Sequence, residues 1–496
     1  MDHRPVRVRM APSPTGKFHL GNARTALINY LMARQSGGQF ILRIEDTDTK
    51  RFVQGAEEML MDVMHWLGLD WDEGPDVGGP YAPYHQTKRK EIYLQYAEKL
   101  IEQGDAYYCF CTPQRLALLR EEQQKRKEPH HYDGNCRDIP LEEARRRILN
   151  GEKPVIRFKS PREGQTTVHD YSRGDITVEN RNIDDYILVK SDGLALYHLA
   201  AMVDDHIMGI THVVRGADWL ATFPLHVLIY RAFGWQEPVW IHCSLFLKPS
   251  GKGKMSKRDA AEMAKDGYSI YIDDLKELGY LPEAVVNWMI LMGWSLDDHT
   301  EFFTMQDLIK NFSIDRLNPA PSAINFSKLD HFNGLHIRNL SKEKLAGLLK
   351  PFFEKEGYKV DMERLTQIAP LIRERMITLD DAVRFAGFFF REEVLPQPEE
   401  LAGKNMSIDK SRQVLEEVIK RLSDLPDLAH EIAEPVMRSF VEESGYSAGQ
   451  VFGIMRVAIT GQTVSPPLFE SMVIIGKETV IKRLQKAIEI LKDMAE

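Results

Sequence analysis

The chain has 496 residues, a formal net charge of −9, 43% apolar residues and 28% charged residues. This is the composition of an ordinary globular protein, and the length allows roughly three or four domain-sized units. No stretch approaches the run of about 18 apolar residues that a membrane helix needs, and no apolar run of a signal peptide follows the N-terminus, so a cytoplasmic location is expected. The acidic balance leaves any anion binding to local patches.

The first sixty residues predict a strand, a loop, a helix and a second strand. VRVRM, residues 6–10, alternates apolar and polar residues as a strand does. The prolines and glycines of residues 12–22, PSPTGKFHLGN, break regular structure. Helical spacing of apolar residues follows, ended by Gly37 and Gly38, before the buried-strand pattern QFILRIED. This order predicts a parallel α/β sheet with a ligand at the carboxyl end of its first strand.

The loop of residues 12–22 has the properties of an anion site. Backbone amides at a helix N-terminus attract anions, and Gly16 and Gly21 let a ligand approach closely. The loop lacks both the GK[ST] ending of a Walker loop and the G-x-G-x-x-G pattern. His19 can donate a hydrogen bond to a phosphate oxygen without a permanent charge. Taken alone, the loop is equally compatible with a turn that holds a hydrogen-bonded polar histidine.

A second charged segment, GKGKMSKR, occupies residues 251–258. Such a charge run is a solvated surface turn in many proteins. Phosphoryl and nucleotidyl transfers, however, build negative charge on phosphate, and mobile lysines that close over the nucleotide stabilise it. The segment therefore predicts either a solvated turn or a phosphate-binding loop.

Together, the two segments resemble the signatures of class I aminoacyl-tRNA synthetases. His19-Leu20-Gly21-Asn22 is similar to the HIGH signature, and Lys254-Met255-Ser256-Lys257-Arg258 is similar to KMSKS, with Arg in place of the final Ser. The blocks RMAPSPTGKFHLGNARTALINYLMAR, RIEDTD and VDDHIMGITHVVRGADWL resemble those of the bacterial-type glutamyl-tRNA synthetase family. The resemblance covers residues 6–330 well and the remainder more loosely.

This resemblance implies a Rossmann-type parallel-sheet catalytic domain with a zinc-binding insertion, followed by an α-helical C-terminal anticodon-binding region. The expected boundaries are 1–85 for the first half of the catalytic domain, 86–190 for the connective insertion that binds the acceptor stem, 191–245 for the second half of the catalytic domain, 246–330 for the KMSKS loop and stem-contact region, and 331–496 for the anticodon-binding domain.

The resemblance also implies a reaction: ATP-dependent activation of L-glutamate to glutamyl-adenylate, then transfer to the 3′ end of tRNA(Glu), with activation dependent on bound tRNA. ATP would be used with Mg²⁺, and the protein is expected to act as a monomer. The HIGH-like motif comprises Pro12, Ser13, Pro14, Thr15, Gly16, Lys17, Phe18, His19, Leu20, Gly21 and Asn22. Catalytic charge stabilisation falls to His19, Lys254 and Lys257, and ATP binding to His19, Gly21, Asn22, Met255, Ser256 and Lys257.

The residue types also suit a dicarboxylate with an ammonium group. Arg9 and Arg215 each end a predicted strand, and a planar guanidinium grips a carboxylate bidentately. Glu45 could hold the ammonium, and Ser13 and Tyr197 could add hydrogen bonds. By resemblance these five positions line the glutamate pocket. Ala201 departs from the pattern because some family members have Asn there, so one polar contact is absent or supplied differently.

Three of the four cysteines, Cys109, Cys111 and Cys136, lie within 28 residues. A short spacing, a long loop and a second short spacing are typical of a tetrahedral zinc site, which would be structural here. Asp138 matches the last ligand of the family's C-x-C…C-x-[HD] pattern. Tyr132 and the pair His130-His131 are alternatives, as are three reduced thiols with no metal.

Several alternative functions stay open at this point. A non-discriminating form would also charge tRNA(Gln) with glutamate for later amidation. Another enzyme of the HIGH superfamily, a small-molecule nucleotidyltransferase, would be shorter and would need neither zinc insertion nor helical tail. A non-catalytic tRNA-binding relative would be expected to lose His19 or the lysines of the KMSK segment, and this chain keeps them.

Overall fold

A computed structural model describes residues 4–48, 51–253, 255 and 257–494, without the side chains of Lys257, Arg258 and Asp266. The chain divides into two compact units. The first consists of residues 1–276 and 285–326, and the second of residues 277–284 and 327–496.

Strands and helices are interspersed through the described part of the first 338 residues. The strands are β1 (Arg7–Met10), β2 (Gln39–Leu42), β3 (Ala106–Cys109), β4 (Val155–Phe158), β5 (Gln165–Asp170), β6 (Gly174–Glu179), β7 (Ile187–Val189), β8 (His212–Gly216), β9 (Val239–Cys243), β10 (Phe246–Leu247) and β11 (Ser322–Ala323). The helices are α1 (Leu20–Ser36), α2 (Ala56–Trp66), α3 (Lys90–Gln103), α4 (Pro113–Lys125), α5 (Leu141–Leu149), α6 (Tyr197–Ile207), α7 (Phe223–Ala232), α8 (Lys257–Met263), α9 (Ile272–Glu277), α10 (Pro282–Leu291), α11 (Met305–Asn311) and α12 (Phe326–Arg338).

Parallel strands form the sheet at the centre of the first unit. β1 pairs with β2 and β8 pairs with β9, both in parallel. The N–H of Thr211 donates to the Arg7 carbonyl at 2.9 Å and joins the two pairs. Beyond β2, the N–H of Leu42 donates to the Glu73 carbonyl at 2.8 Å, which adds the segment around residue 73 to the sheet. The predicted parallel α/β fold is confirmed.

The first crossover of this sheet follows the predicted order. α1 begins after the N-cap His19 and ends at Gly37, whose φ of 67° is left-handed. Gly38 is required for a different reason, because an added Cβ would meet the Val6 carbonyl oxygen at 2.2 Å. These two glycines let the chain turn tightly from α1 into β2, as their position after the helical pattern predicts.

Antiparallel strands characterise the segment between the two halves of the parallel sheet. β4 lies between β3 and β7 and is antiparallel to both, and β5 and β6 form a separate hairpin. The turn of this hairpin returns to the parallel sheet, where the Tyr171 N–H donates to the Trp240 carbonyl at 2.8 Å.

The described part of residues 339–494 forms only helices. These are α13 (Lys342–Lys355), α14 (Met362–Ile372), α15 (Asp381–Ala386), α16 (Pro398–Leu401), α17 (Ile408–Asp424), α18 (His430–Ser444), α19 (Ala448–Thr460), α20 (Leu468–Ile475) and α21 (Lys477–Asp493), with short 3₁₀ turns between some of them. Apolar side chains from these helices form one continuous core. The prediction of a helical C-terminal region is confirmed.

None of the helices in the described residues has both the length and the apolar character needed to cross a membrane.

Candidate active site

A cavity of about 660 Å³ opens at the carboxyl ends of β1 and β8. Parallel sheets bind their ligands at this edge, because loops from several strands converge there. The cavity wall includes all five residues predicted to bind glutamate, together with one residue of the HIGH-like motif predicted to bind ATP: Arg9, Ser13, Glu45, Tyr197, Arg215 and Asn22.

A buried ion-pair cluster supports the floor of this cavity. The Asp205 carboxylate, on α6, accepts hydrogen bonds from Arg9 Nε at 3.0 Å and Arg9 NH2 at 3.1 Å. It also accepts one from Arg43 NH1 at 2.8 Å. Burial by itself would raise the pKa of Asp205, but the charges of Arg9 and Arg43 outweigh burial and lower it. The carboxylate therefore stays ionised and fixes both guanidinium groups.

Arg9 keeps some capacity to bind a substrate. Its NH1 donates to the Val214 carbonyl at 3.2 Å in addition to the two bonds to Asp205. A guanidinium has about five N–H groups, so one hydrogen on each terminal nitrogen remains. Arg9 thus forms a buried ion pair and also lines the cavity. The sequence did not predict this double role.

Glu45 is one of the acidic residues in the cavity wall, together with Asp48 and Asp192. Its Oε1 accepts a hydrogen bond from Arg43 NH2 at 3.0 Å. Burial raises the pKa of Glu45 to about 7, against the opposing charges of Arg43 and Arg9. A cation that entered the cavity would favour its ionised form.

Arg215 also lines the cavity, and its two terminal nitrogens are available to bind a ligand. Its Nε donates to His242 Nε2 at 3.0 Å. Its buried NH1 and NH2 find no hydrogen-bond partner within the described residues. Burial lowers the pKa of Arg215, with Tyr197 opposing that change. Buried donors without acceptors are costly, so this guanidinium is suited to receive an anionic ligand.

An aromatic pair closes one side of the cavity. The Tyr197 ring stacks on Trp219 with a centroid distance of 3.9 Å. Burial raises the pKa of Tyr197, so its hydroxyl stays protonated and can donate a hydrogen bond.

His19 lies at the N-terminus of α1, where anions are favoured. Its Nδ1 accepts a hydrogen bond from the Gly21 N–H at 3.0 Å. The neutral ring must therefore carry its hydrogen on Nε2, the nitrogen that can donate to a phosphate oxygen.

The segment after α8 is hydrogen-bonded to the HIGH-like loop. The Leu20 N–H donates to the Ile270 carbonyl at 2.8 Å, and the Ile272 N–H donates to the Phe18 carbonyl at 3.0 Å. The carboxylate of Asp273 accepts from the Phe18 N–H at 3.1 Å. The HIGH-like loop is thus linked directly to the segment that follows α8, more than 200 residues away in sequence.

Part of the KMSK-like segment can be placed. Met255 is buried, and its N–H donates to the Phe246 carbonyl at 3.4 Å. Lys254 and Ser256 lie outside the described residues, and Lys257 is described only as the backbone start of α8. Their roles stay predictions.

The three clustered cysteines converge as their spacing predicts. Their sulfurs lie within 4.8 Å of one another, and Cys111 Sγ is 3.6 Å from Cys136 Sγ. Two thiolates bound tetrahedrally to zinc at about 2.3 Å lie about 3.8 Å apart. The cluster could therefore hold a metal ion.

Tyr132, rather than Asp138, lies at this cluster. The Tyr132 hydroxyl oxygen is 3.3 Å from the Sγ atoms of both Cys109 and Cys111. The Asp138 side chain is 91% exposed, with Lys159 as an ion-pair partner at 3.9 Å. The structure therefore favours the alternative fourth ligand over the one taken from the C-x-C…C-x-[HD] pattern.

Sequence reasoning missed the residues that hold the pocket together, namely Arg43, Asp205 and His242. One signal was available. Asp204 and Asp205 interrupt the apolar helical run LAAMV, and two consecutive carboxylates on a buried helix indicate buried cations nearby. No comparable signal marked His242.

The parallel sheet, the histidine-capped first helix and the charged cavity define a nucleotide-binding α/β enzyme. Residues 5–331 match the family described as "tRNA synthetases class I (E and Q), catalytic domain", and residues 344–488 match the "Anticodon binding domain". The chain therefore belongs to the class I tRNA synthetases of the E and Q type, and the predicted family resemblance is confirmed.

Individual relatives agree along the whole length. The chain is 42% identical over 494 residues to the glutamate–tRNA ligase of Dehalococcoides mccartyi strain 195, covering 99% of each chain. It is 44% identical over 494 residues to that of Roseiflexus sp. strain RS-1, covering 97% of this chain and 96% of the relative. A crystal structure of a glutamate tRNA ligase from Elizabethkingia meningosepticum in complex with its amino acid superposes with a TM-score of 0.88 at 37% identity, covering 98% and 99% of the two chains.

The substitution Asp205→Asn tests the ion-pair cluster. It leaves Arg9 and Arg43 buried without their shared anion, which typically costs about 3–5 kcal/mol. We expect scanning calorimetry to show a clearly lower unfolding temperature. Asp175→Asn is the matched control, because Asp175 pairs with His169 on the surface and should contribute less than about 1 kcal/mol. Equal effects of the two substitutions would contradict the structural role of Asp205.

Proposed function

We propose that the chain activates L-glutamate with ATP to glutamyl-adenylate and transfers the glutamyl group to the 3′ end of tRNA(Glu). The observation that carries this proposal is the cavity wall, where the two unpartnered nitrogens of Arg215 and the carboxylate of Glu45 share one space. A dicarboxylate with an ammonium group complements this arrangement. The names of the relatives, all glutamate–tRNA ligases, support the same substrate.

In the proposed complex, Arg215 and Arg9 bind the carboxylates of glutamate and Glu45 binds its ammonium. Ser13 and Tyr197 add hydrogen bonds from the two sides of the cavity. Burial strengthens each of these contacts, because the effective dielectric constant is far below that of water. Ala201 is fully buried in α6 and offers no polar group, so recognition depends on the remaining five residues.

For activation, a carboxylate oxygen of glutamate attacks the α-phosphorus of ATP and pyrophosphate leaves. No enzyme nucleophile is required, so the protein contributes alignment and charge stabilisation. We assign His19 Nε2–H to the phosphates at the N-terminus of α1, with Gly21 and Asn22 beneath the nucleotide. Lys254 and Lys257 are proposed to neutralise the charge that develops there, with Met255 and Ser256 beside the nucleotide.

The partners and cofactors follow from this reaction. ATP would arrive with Mg²⁺, which would offset part of the negative charge of its phosphates. The protein is expected to act as a monomer in the cytoplasm, where ATP and tRNA are present. The insertion of residues 86–190 would bind the acceptor stem, residues 246–330 would contribute stem contacts, and the helical region from 331 would bind the anticodon of tRNA(Glu).

We propose that Cys109, Cys111, Cys136 and Tyr132 hold a structural zinc ion in the insertion. The sulfur spacing fits tetrahedral coordination, and a closed set of four protein ligands leaves no position for a reactive water. The ion would secure the segment between β3 and α5, which contains α4, without taking part in the reaction.

Charging assays test the proposed function directly. Purified tRNA(Glu) and tRNA(Gln) are each incubated with ATP and radiolabelled glutamate or glutamine. We expect glutamate to be attached to tRNA(Glu) and glutamine to neither tRNA. Charging with glutamine would refute the substrate assignment, and glutamate on tRNA(Gln) would identify the non-discriminating form. Strong ATP–pyrophosphate exchange without tRNA would refute the expected tRNA dependence.

The pKa of Glu45 predicts how glutamate affinity varies with pH. The carboxylate binds ammonium only when ionised, and its pKa in the free protein is about 7. Affinity should therefore be lost as the pH falls through 7, with the glutamate Kd rising about tenfold from pH 8 to pH 6. Calorimetric titration measures this without ATP or tRNA. Glu45→Gln should bind weakly at both pH values, and a flat profile for the unmodified protein would argue against the assignment.

Metal analysis of two variants tests the zinc site. The unmodified protein, purified without chelator, should contain one zinc per chain. Tyr132→Phe removes a ligand atom and should lose zinc to a colorimetric chelator much faster, whereas Asp138→Asn should behave like the unmodified protein. The opposite order would restore Asp138 as the fourth ligand, and a zinc-free protein would refute the site.

A further inference from the structure

Arg215 is held at the cavity by a hydrogen bond to a residue on the neighbouring strand. β8 and β9 are parallel neighbours, and Arg215 is in register with His242. Side chains in register lie side by side on the same face of a sheet, and Arg215 Nε is 3.0 Å from His242 Nε2. An arginine can only donate, so His242 Nε2 must accept.

This hydrogen bond determines the protonation state of the imidazole. With Nε2 accepting, the ring is neutral and its hydrogen is on Nδ1. The Asp170 Oδ2 atom lies 2.7 Å from Nδ1 and also accepts the backbone N–H of His242 at 3.0 Å. Burial lowers the pKa of His242 to about 4, with Arg215 acting in the same direction against the contribution of Asp170. The ring therefore remains neutral throughout the physiological range.

Asp170 is itself held by its surroundings. It is the last residue of β5, and its Oδ1 accepts the N–H groups of Ser172 and Arg173 at 3.1 and 3.0 Å. Asp170 and His242 are both essentially buried. Each of the two hydrogen bonds that connect Asp170, His242 and Arg215 thus has a defined donor and a defined acceptor.

The remaining contacts of Arg215 restrict its plane. Its guanidinium carbon lies 5.0 Å from the Trp240 ring centroid and 5.8 Å from that of Phe223. With Nε bound to His242 and two rings nearby, the guanidinium has little freedom to rotate. NH1 and NH2 are the atoms left to the cavity.

We propose that Asp170 and His242 are positioning residues of the amino acid pocket, which orient Arg215 so that its two terminal nitrogens bind a substrate carboxylate bidentately. The inference rests on the proposed function, because it takes glutamate as the ligand of this cavity. It adds two residues that touch no substrate, one of them from the inserted hairpin.

Two substitutions of His242 separate the two hydrogen bonds of the ring. The amide of Asn reaches the Nδ1 position, so His242→Asn keeps a donor for Asp170 but removes the acceptor for Arg215. The amide oxygen of Gln reaches the Nε2 position, so His242→Gln keeps the acceptor for Arg215. We expect His242→Asn to raise the KM for glutamate about tenfold or more, the usual effect of losing a hydrogen bond to a charged group. The glutamate KM of His242→Gln should lie much closer to that of the unmodified protein.

The kinetic pattern distinguishes positioning from a general loss of structure. Both variants should keep the KM for ATP, and kcat at saturating glutamate should fall far less than kcat/KM. Equal glutamate KM values for His242→Asn and the unmodified protein would overturn the proposal, as would equal losses in the Asn and Gln variants. A raised KM for ATP alongside that for glutamate would also overturn it.

Asp170→Asn provides the second variant if His242→Asn does not fold. It removes the charge that holds the ring, so the KM for glutamate should rise by a smaller factor while the KM for ATP stays unchanged. An unchanged glutamate KM would count against the proposal. The proposed function fails separately, since it would show as absent glutamate charging in the unmodified protein.

Discussion

The Asp205 carboxylate organises the charged cavity at the carboxyl ends of β1 and β8. Removing an ion from water costs several kcal/mol, so two buried guanidinium groups, that of Arg9 on β1 and that of Arg43 directly after β2, need an anion close by. Asp205 serves both Arg9 and Arg43, and Arg43 in turn holds Glu45. The position and the charge of the groups in the cavity thus depend on a residue that lies beneath them.

The cluster also explains how an acidic chain presents cationic groups in this cavity. The Asp205 carboxylate largely neutralises the charge of Arg9. Arg215 is hydrogen-bonded instead to the neutral imidazole of His242 and keeps its full charge. Glu45, whose pKa burial raises to about 7, is only partly ionised near neutral pH until a cation arrives. Arg215 therefore offers a place for a carboxylate, and Glu45 a place for an ammonium group.

Much of the architecture could be predicted, because it rests on local patterns. The loop before α1, its His19 cap and the closing Gly37 all lie within a few turns of one another, and the cysteine spacing shows directly in the sequence. The support of the pocket could not be predicted in this way. Asp205 and Arg43 are 162 positions apart, and Asp170 and His242 are 72 apart. The choice of fourth metal ligand could not be predicted for a related reason: spacing gives the distance along the chain, whereas side-chain direction places Tyr132 nearer than Asp138 to the sulfurs.

The contacts of the β5–β6 hairpin limit where segments of this protein can be exchanged with those of its relatives. By sequence it belongs to the segment inserted between the two halves of the sheet, which looks like a module that relatives could exchange. Its turn is nevertheless bonded to β9 through Tyr171 and through Asp170. A chimera that carries the insertion of another protein would replace Asp170, the hydrogen-bond partner of His242, along with the exposed surface of the insertion. The hairpin therefore has to be inherited with β9, and a foreign insertion has to end before β5.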